Sequence, residues 1–360
     1  MTMDTETREL LEREFERHSA AHYGTARLRD YAALPAGRDP ALWQTLCDHG
    51  WTALGLDERH GGLGATVRDA LPLFAAAGRA AWREPLLERC GSAAGALLAI
   101  DDPECEVLLG DLVAGRAEVC FAHREAASGF AGDSVPTLAV DARGRLSGQK
   151  CCIVDYAPDA TLLVTARSAA GTSVHLVAPG APGLATHAYR TVDGRRACDL
   201  VFGAVAARAL GPAGAVIEGA QRRTQLFAAA EIAGVMRGAV ETTREHLTTR
   251  KQFGRPLAAQ QVLAHRLVDM HMAALETTAL VAATANACDA GAGDLDRRLL
   301  SLRAQSAEAS RFVTQQAIQL HGGLGICSEI LVGHLYRRVL AIDSLCGTAD
   351  WALSRLAAAS

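Results

Sequence analysis

The segment that decides the fold is residues 246–270, HLTTRKQFGRPLAAQQVLAHRLVDM. It joins two stretches in which apolar residues recur three, four or seven positions apart, the spacing of one face of an α-helix. Gly254 lies between the two stretches, where it can end the first helix. The segment therefore predicts two long helices with a short connection. The stripes that support them are Leu226, Met236 and Leu247, then Leu263, Met270 and Val281.

Two further helices follow, predicted at about 294–320 and 328–358. Long helices with short connections are typical of a bundle whose neighbouring helices are antiparallel. We therefore expect a C-terminal four-helix bundle over residues 213–360.

Upstream, the pattern is different. Residues 117–212 contain short runs such as EVCFAH, CCIVDY and ATLLVTAR, separated by Gly, Pro, Asp and Ser, which favour a small antiparallel β-barrel or sandwich. Residues 1–116 have helical patterns, among them DPALWQTLCDHGWTALG, which begins with Asp-Pro and ends at glycine. The predicted fold class is α+β, with an N-terminal helical domain, a middle antiparallel β-barrel and the C-terminal bundle.

Composition excludes several classes of protein. The net charge of −4 and the pI near 6.3 give no field that would attract nucleic acid or an anionic membrane. The N-terminus is charged, and no apolar run reaches the ~18 residues of a membrane span. The ten cysteines contain no CxxC pair, so we expect no metal site and no disulfide framework. These features predict a cytoplasmic protein without nucleic-acid or membrane partners.

The sequence also lacks the motifs of several common enzyme classes. No GxGxxG, Walker A or GxSxG motif occurs, so nicotinamide, ATP and serine-hydrolase chemistry lose their usual support. Taken alone, RKQFGRP and HGGLG are weak signals. Arg250 can be a cation at a helix C-terminus, and Gly323 can belong to a helix stop.

Together with QQAIQLHGGLGI, the segment HLTTRKQFGRPLAAQQVLAHRLVDM closely resembles the acyl-CoA dehydrogenase family. LCDHGWTALGLDERHGGLGATVRDA and DLVFGAVAARALGP fit the same family at corresponding places, so the resemblance covers nearly the whole chain. It implies a flavoenzyme that forms a double bond between the α and β carbons of an acyl-CoA thioester. It also implies FAD at a dimer interface and transfer of electrons to an electron-transfer flavoprotein.

The resemblance assigns candidate cofactor contacts. Arg250 matches the arginine that contacts the FAD pyrophosphate of a neighbouring subunit, and a guanidinium fork suits a diphosphate. Phe253 and Gln261 match further flavin contacts, although ordinary bundle packing is an alternative. The remaining positions implied by the family are Gln319, Gly323 and Thr348.

The chain departs from the family at the catalytic base. The glutamate of the family's Tyr-Glu-Gly-Thr sequence corresponds to Cys346, and the alternative base position on the first bundle helix corresponds to Thr224. The segment that packs on the flavin also differs, because Cys152 and Val154 stand where the family has an indole and a hydroxyl.

Three explanations follow. Asp343 or Glu231 could be the base, although Asp343 could instead pair with an arginine such as Arg337 and Glu231 could be an ion-pair partner. Cys346 could act as a thiolate if a cation activated it. Third, the chain could be the base-less subunit of a heteromer, as in the steroid-degrading α2β2 acyl-CoA dehydrogenases. We favour the third. A self-sufficient enzyme, with homo-oligomers, and a non-redox scaffold remain alternatives.

Overall fold

The structure, a computed structural model, describes residues 3–126, 135–169, 171–252 and 254–358. The chain is divided into two compact units. The first consists of Met1–Ala33, Thr66–Arg83 and Leu226–Ser360, and the second of Leu34–Ala65 and Glu84–Gln225. The sequential division into domains at 116 and 212 stays a prediction.

The helices follow the capping and periodicity signals of the sequence. Their bounds are α1 Thr5–His22, α2 Thr25–Ala33, α3 Pro40–Asp48, α4 Val67–Arg79, α5 Ala94–Leu98, α6 Pro103–Val113, α7 Gly214–Thr249, α8 Gln261–Asp289, α9 Leu295–His321, α10 Leu331–Cys346 and α11 Ala349–Ala358. A π-helical segment, Leu87–Ala93, precedes α5.

Local chemistry explains where several helices begin. The Asp39 carboxylate accepts a hydrogen bond from Ala41 N at 3.0 Å, and Pro40 occupies the first turn of α3. Asp102 does the same for α6, ahead of Pro103. These caps satisfy amide groups that the helix itself cannot. The Asp-Pro start predicted from sequence is therefore confirmed for α3.

In the second unit, the strands form an eight-stranded sheet in the order β6-β7-β3-β2-β4-β5-β8, with β1 paired to β4. The strands are β1 Val119–Ala122, β2 Ala139–Val140, β3 Arg145–Val154, β4 Thr161–Ser168, β5 Gly171–Val177, β6 Leu184–Arg190, β7 Arg196–Ala206 and β8 Arg208–Pro212. The predicted closed antiparallel barrel is wrong. β6 and β8 are not paired with each other, and β1 and β2 both run parallel to β4.

The central strand β4 separates two apolar cores of this unit. Leu163 joins a cluster with Val174 and with residues of α5, α6 and the first turns of α7. Leu162 and Val164 join a second cluster, with Leu146 and Phe202, on the other face of the sheet. Alternation along the strand follows the two-residue period of side chains.

In the first unit, α9 matches the predicted helix at 294–320, but the predicted helix at 328–358 is two helices. α10 ends at Cys346, and Gly347 adopts a φ of 98°. The Thr348 hydroxyl then accepts from Trp351 N at 3.3 Å, which begins α11. A left-handed φ ends a helix and is inexpensive only for glycine.

α4 packs directly on α7 in the first unit. A Cβ placed on Gly234 would lie 1.9 Å from the Ala75 carbonyl oxygen, so only glycine allows this backbone approach. The connection between α7 and α8 contains a two-stranded hairpin, β9 Lys251–Gln252 and β10 Arg255–Pro256. Within the described ranges, no helix is long and apolar enough to span a membrane.

Candidate active site

Cys346, which the sequence predicts to stand at the position of the catalytic glutamate, is the last residue of α10 and is 6% exposed. The turn that follows it is held by an arginine from α9. Arg303 Nε donates to the Gly347 carbonyl oxygen at 2.8 Å, and its guanidinium also pairs with Asp343. The Cys-Gly-Thr segment therefore has a fixed geometry at the junction of α10 and α11.

Asp343 is enclosed by two arginines. It is 3% exposed, Arg303 pairs with one carboxylate oxygen, and Arg311 Nε donates to the other at 2.7 Å. The sequence suggested Arg337 as a partner, but the guanidinium of Arg337 contacts His334 instead. Both oxygens of this carboxylate therefore accept bonds from arginine side chains.

Glu231, the other candidate base, is in a comparable position. It is 2% exposed, and Arg338 binds both carboxylate oxygens, at 2.5 Å and 3.0 Å. This is the fork-to-fork geometry that makes arginine–carboxylate pairs strong and rigid. Proton abstraction by Glu231 would neutralise the carboxylate that these two bonds hold.

Thr224, at the alternative base position on α7, has its hydroxyl committed to its own helix. Thr224 Oγ1 donates to the Ala220 carbonyl oxygen at 2.6 Å. Gly91 lies so close that a Cβ there would be 3.2 Å from the same hydroxyl. This position therefore offers no carboxylate.

Arg250 directly follows α7 at the end of the bundle. Its amide donates to the His246 carbonyl oxygen, and its own carbonyl accepts from Leu257 N at 2.9 Å. The side chain is exposed, and so is that of Gln261, the first residue of α8. Phe253, the third predicted contact on this segment, lies outside the described residues.

A histidine pair brings the two family motifs together. The rings of His246 and His321 stack with centroids 4.3 Å apart. His246 is one helical turn before Arg250, and His321 directly precedes the glycines at the end of α9. The stack therefore places Arg250 and the end of α9 at the same end of the bundle.

Burial lowers the pKa of both histidines. For His246, the adjacent His321 and Arg250 lower the pKa further. For His321, a hydrogen bond between its Nδ1 and the Ala317 carbonyl oxygen opposes the effect of burial. Sequence reasoning missed this pair, although both histidines lie inside the quoted motifs, because helix periodicity does not show which helices contact each other.

Gln319 and Gly323 are both exposed, at the last turn of α9 and in the turn after it. A Cβ on Gly323 would contact nothing within 4 Å, so the backbone there is accessible to a ligand. Thr348, the last predicted cofactor contact, is half-buried and caps α11.

Strand β3 bulges at the position of the family's flavin-packing segment. Its register with β7 shifts between Lys150 and Ile153, and Cys152 adopts a φ of 54°. Cys152 N donates to Asp199 Oδ1 at 2.9 Å, and the Tyr189 hydroxyl donates to the same oxygen at 3.0 Å. The bulge therefore holds its amide on a carboxylate rather than presenting it to a ligand.

Comparison with known proteins gives the family. A family model described as "Acyl-CoA dehydrogenase, C-terminal domain" matches residues 214–360. The acyl-CoA dehydrogenase FadE27 of Mycobacterium tuberculosis is 28% identical over 355 residues, covering 91% of this chain and 90% of FadE27. IpdE2 of the same organism, also named an acyl-CoA dehydrogenase, is 28% identical over 318 residues, covering 88% and 85%.

Solved structures agree over the whole length. A variant of the steroid ACAD Tcur3481–Tcur3483 matches with a TM-score of 0.90 and 29% identity, covering 99% of both chains. Residues 214–360 therefore form an acyl-CoA dehydrogenase C-terminal domain, and the full-length matches agree with that family. The ChsE4–ChsE5 complex of Mycobacterium tuberculosis matches with a TM-score of 0.88 and 26% identity, covering 99% of this chain and 97% of the other.

FAD is the cofactor of acyl-CoA dehydrogenases. The residues of this chain suit one part of the FAD molecule but not the other. At the bundle end, Arg250 has an exposed guanidinium and Gly323 leaves its backbone open, which suits an anionic diphosphate. At the β3 bulge, Cys152 offers no indole and the buried Val154 offers no hydroxyl. The fit is therefore good at the bundle end and poor at β3.

Proposed function

We propose that this chain is the base-less subunit of a heteromeric, FAD-dependent acyl-CoA dehydrogenase. The observation that supports this proposal is the chemical identity and bonding of the four candidate base residues. Cys346 and Thr224 are not carboxylates, and Asp343 and Glu231 are each bound through both oxygens by arginine. A base must accept the α-proton, and we infer that its carboxylate belongs to another subunit.

Relatives support a heteromeric assembly acting on a bulky substrate. One matching structure is named as a complex of ChsE4 with ChsE5, and another as the steroid ACAD Tcur3481–Tcur3483. On this basis the substrate class is the CoA thioester of a steroid or a similarly bulky lipid acid. The assembly would pass its electrons to an electron-transfer flavoprotein.

In the mechanism, this chain positions the cofactor and the partner supplies the base. Bound FAD would supply the hydride acceptor for the β carbon, and the partner's carboxylate would remove the α-proton. Arg250 would bind the diphosphate of a FAD shared with the partner, and Gln261, Gln319, Gly323 and Thr348 would complete the contacts. The Arg303–Gly347 hydrogen bond and the Asp343 ion pairs would keep the Cys346 turn rigid.

The test compares the chain alone with the chain co-expressed with a homologous acyl-CoA dehydrogenase subunit. Visible absorption reports flavin content, and bleaching on addition of acyl-CoA substrate reports the chemical step. We expect the pair to bind flavin and to be bleached, and the chain alone not to be bleached. Bleaching of the chain alone would overturn the proposal in favour of a self-sufficient enzyme. Failure to bind flavin with any subunit tried would favour a non-redox scaffold.

A single substitution in the partner sharpens this test. If the base is a carboxylate of the other subunit, replacing that residue by its amide abolishes bleaching of the pair. Glu231→Gln in this chain then serves as the matched control and leaves bleaching intact. The reverse result would assign the base to this chain.

A further inference from the structure

A cavity of about 720 Å³ lies within the first unit, away from the candidate active-site residues. It is bounded by parts of α1, α2, α4, α7 and α8 and by Leu331 of α10. Cys346, Asp343, Glu231 and Arg250 are not among the residues that line it. Its volume falls in the range of ~300–1,000 Å³ that is typical of sites for small molecules.

The cavity exists because the helices around it carry small side chains. Ala75 and Ala76 of α4, Ala230 and Ala233 of α7, and Ala282 of α8 line its wall. Leucine or phenylalanine at these positions would fill the space. The deeper lining includes the buried side chains of Leu28, Leu71 and Val281. The wall therefore suits an apolar body.

One end of the cavity has an uncompensated cation. Arg68, in the first turn of α4, is half-buried, and its guanidinium has no acidic or hydrogen-bonding partner among residues 3–126, 135–169, 171–252 and 254–358. Asp289 is nearby, but its carboxylate accepts from the backbone amides of Val67 and Arg68, at 3.2 and 3.4 Å. A partly desolvated cation without a counter-ion is unfavourable.

The other charges of the lining are paired or solvated. Arg8 binds Asp69 at 2.6 Å. At the opposite end, Arg79 binds Glu16 and Glu241, each at 2.7 Å, and Arg237 also binds Glu241. Glu12 is exposed on α1, so water solvates its charge. Among the charged residues of the lining, Arg68 would therefore give an anionic group the strongest electrostatic stabilisation.

We propose that this cavity binds an amphipathic monocarboxylic acid, with its carboxylate on Arg68 and its apolar body along α4. The distance from Arg68 to Arg79 is about 16 Å at ~1.5 Å per helical residue, which leaves room for a long acyl chain or a fused-ring system. A carboxylate would form a charge-assisted, two-point contact with the guanidinium. This site is separate from the proposed dehydrogenase function and does not depend on it.

The test is displacement of a fluorescent linear fatty acid, cis-parinaric acid, from the full-length chain together with any copurifying subunit and flavin. The competitors are hexadecanoic acid, its alcohol hexadecanol, and cholic acid as a fused-ring acid. We expect saturable probe binding and displacement by at least one of the two acids. Which acid competes better distinguishes a linear from a polycyclic ligand. Absence of saturable binding, or displacement by neither acid, would overturn the proposal.

Variants locate the binding. Arg68→Gln is expected to weaken the acid about tenfold, roughly 1.4 kcal/mol, and to leave hexadecanol unchanged. Ala76→Phe places a ring in the cavity where the apolar body would lie and is expected to weaken binding of both. Arg143→Gln, which changes an exposed arginine in the turn between β2 and β3, is the matched control and should have no effect. Equal acid affinities of Arg68→Gln and the unaltered chain would refute the assignment even if Ala76→Phe failed to fold.

Discussion

Arg338 of α10 holds Glu231 of α7 through both carboxylate oxygens, with Nε to Oε1 at 2.5 Å and the second nitrogen to Oε2 at 3.0 Å. Both side chains are under 5% exposed. Water therefore screens this pair little, and each member has lost the hydration that it had in the unfolded chain. Removal of one member takes two charge-assisted hydrogen bonds from the other, which stays buried.

We predict that Arg338→Met lowers the free energy of unfolding by about 3–5 kcal/mol, because the buried Glu231 carboxylate loses both bonds to this guanidinium. Urea unfolding followed by circular dichroism measures this. The matched control is Arg298→Met, which breaks an exposed pair with Asp294 one turn away and should cost less than about 1 kcal/mol. If the free energy of unfolding falls equally in the two variants, the buried pair contributes no more to stability than the exposed pair.

Asp343→Asn separates a structural role from a catalytic one. The amide keeps the shape but loses the charge that balances Arg303 and Arg311, so we expect the free energy of unfolding to fall by about 3 kcal/mol. Substrate bleaching of the flavin in the two-subunit enzyme should keep its rate at a temperature where the variant is folded. A loss of about 100-fold or more in that rate would identify Asp343 as the base.

The sequence predicted local features well, because they depend on neighbouring residues. Asp39-Pro40 starts α3, and the two predicted apolar stripes lie on α7 and α8, as local caps and periodicity indicate. Pairing over long separations was not predictable. Arg338 follows Glu231 by 107 positions, and β1 lies parallel to β4 rather than in an antiparallel barrel. Periodicity shows which face of an element is buried but not what covers it.

The boundary between α10 and α11 was not predicted, although the local sequence contains a signal for it. Gly347-Thr348 lies inside the predicted helix at 328–358, and a glycine followed by a good capping residue is a helix stop and start. The resemblance drew attention to these residues as a marker of the catalytic position, and their capping role was overlooked. The structure shows that they divide α10 from α11.

We predict that Gly347→Ala destabilises the chain by several kcal/mol. The residue has a φ of 98°, and a Cβ would lie 2.3 Å from the Trp351 ring, so both strain and overlap oppose it, at about 1–3 kcal/mol each. Gly110→Ala in α6 is the matched control, since a Cβ there contacts nothing within 4 Å. It should stabilise by about 0.5–1 kcal/mol. Thermal unfolding of both variants checks the contrast, and a stable Gly347→Ala would contradict the geometry of this turn.

Arg250→Lys tests the proposed diphosphate contact. Lysine keeps the charge but not the planar fork, so we expect the two-subunit enzyme to lose flavin during gel filtration more readily, with a roughly tenfold weaker FAD affinity for a loss of about 1.4 kcal/mol. Arg244→Lys, an exposed arginine earlier on α7, is the control and should retain flavin. Equal retention by both variants would remove Arg250 from the cofactor site.

The His246–His321 stack should make the fold sensitive to mild acid. Both pKa values are lowered in the folded chain by burial, and that of His246 also by its neighbours His321 and Arg250. The unfolded chain, with histidine pKa values near ~6.5, therefore takes up protons first as the pH falls. The stabilising effect of the neutral pair is complete above about pH 6.5 and is lost as the pH falls from there towards the folded values. Replacing both residues by glutamine should give a shallower fall in melting temperature between pH 7 and 5. The exposed His265→Gln is the control, and an unchanged acid slope in the double variant would show that the stack is not a source of this sensitivity.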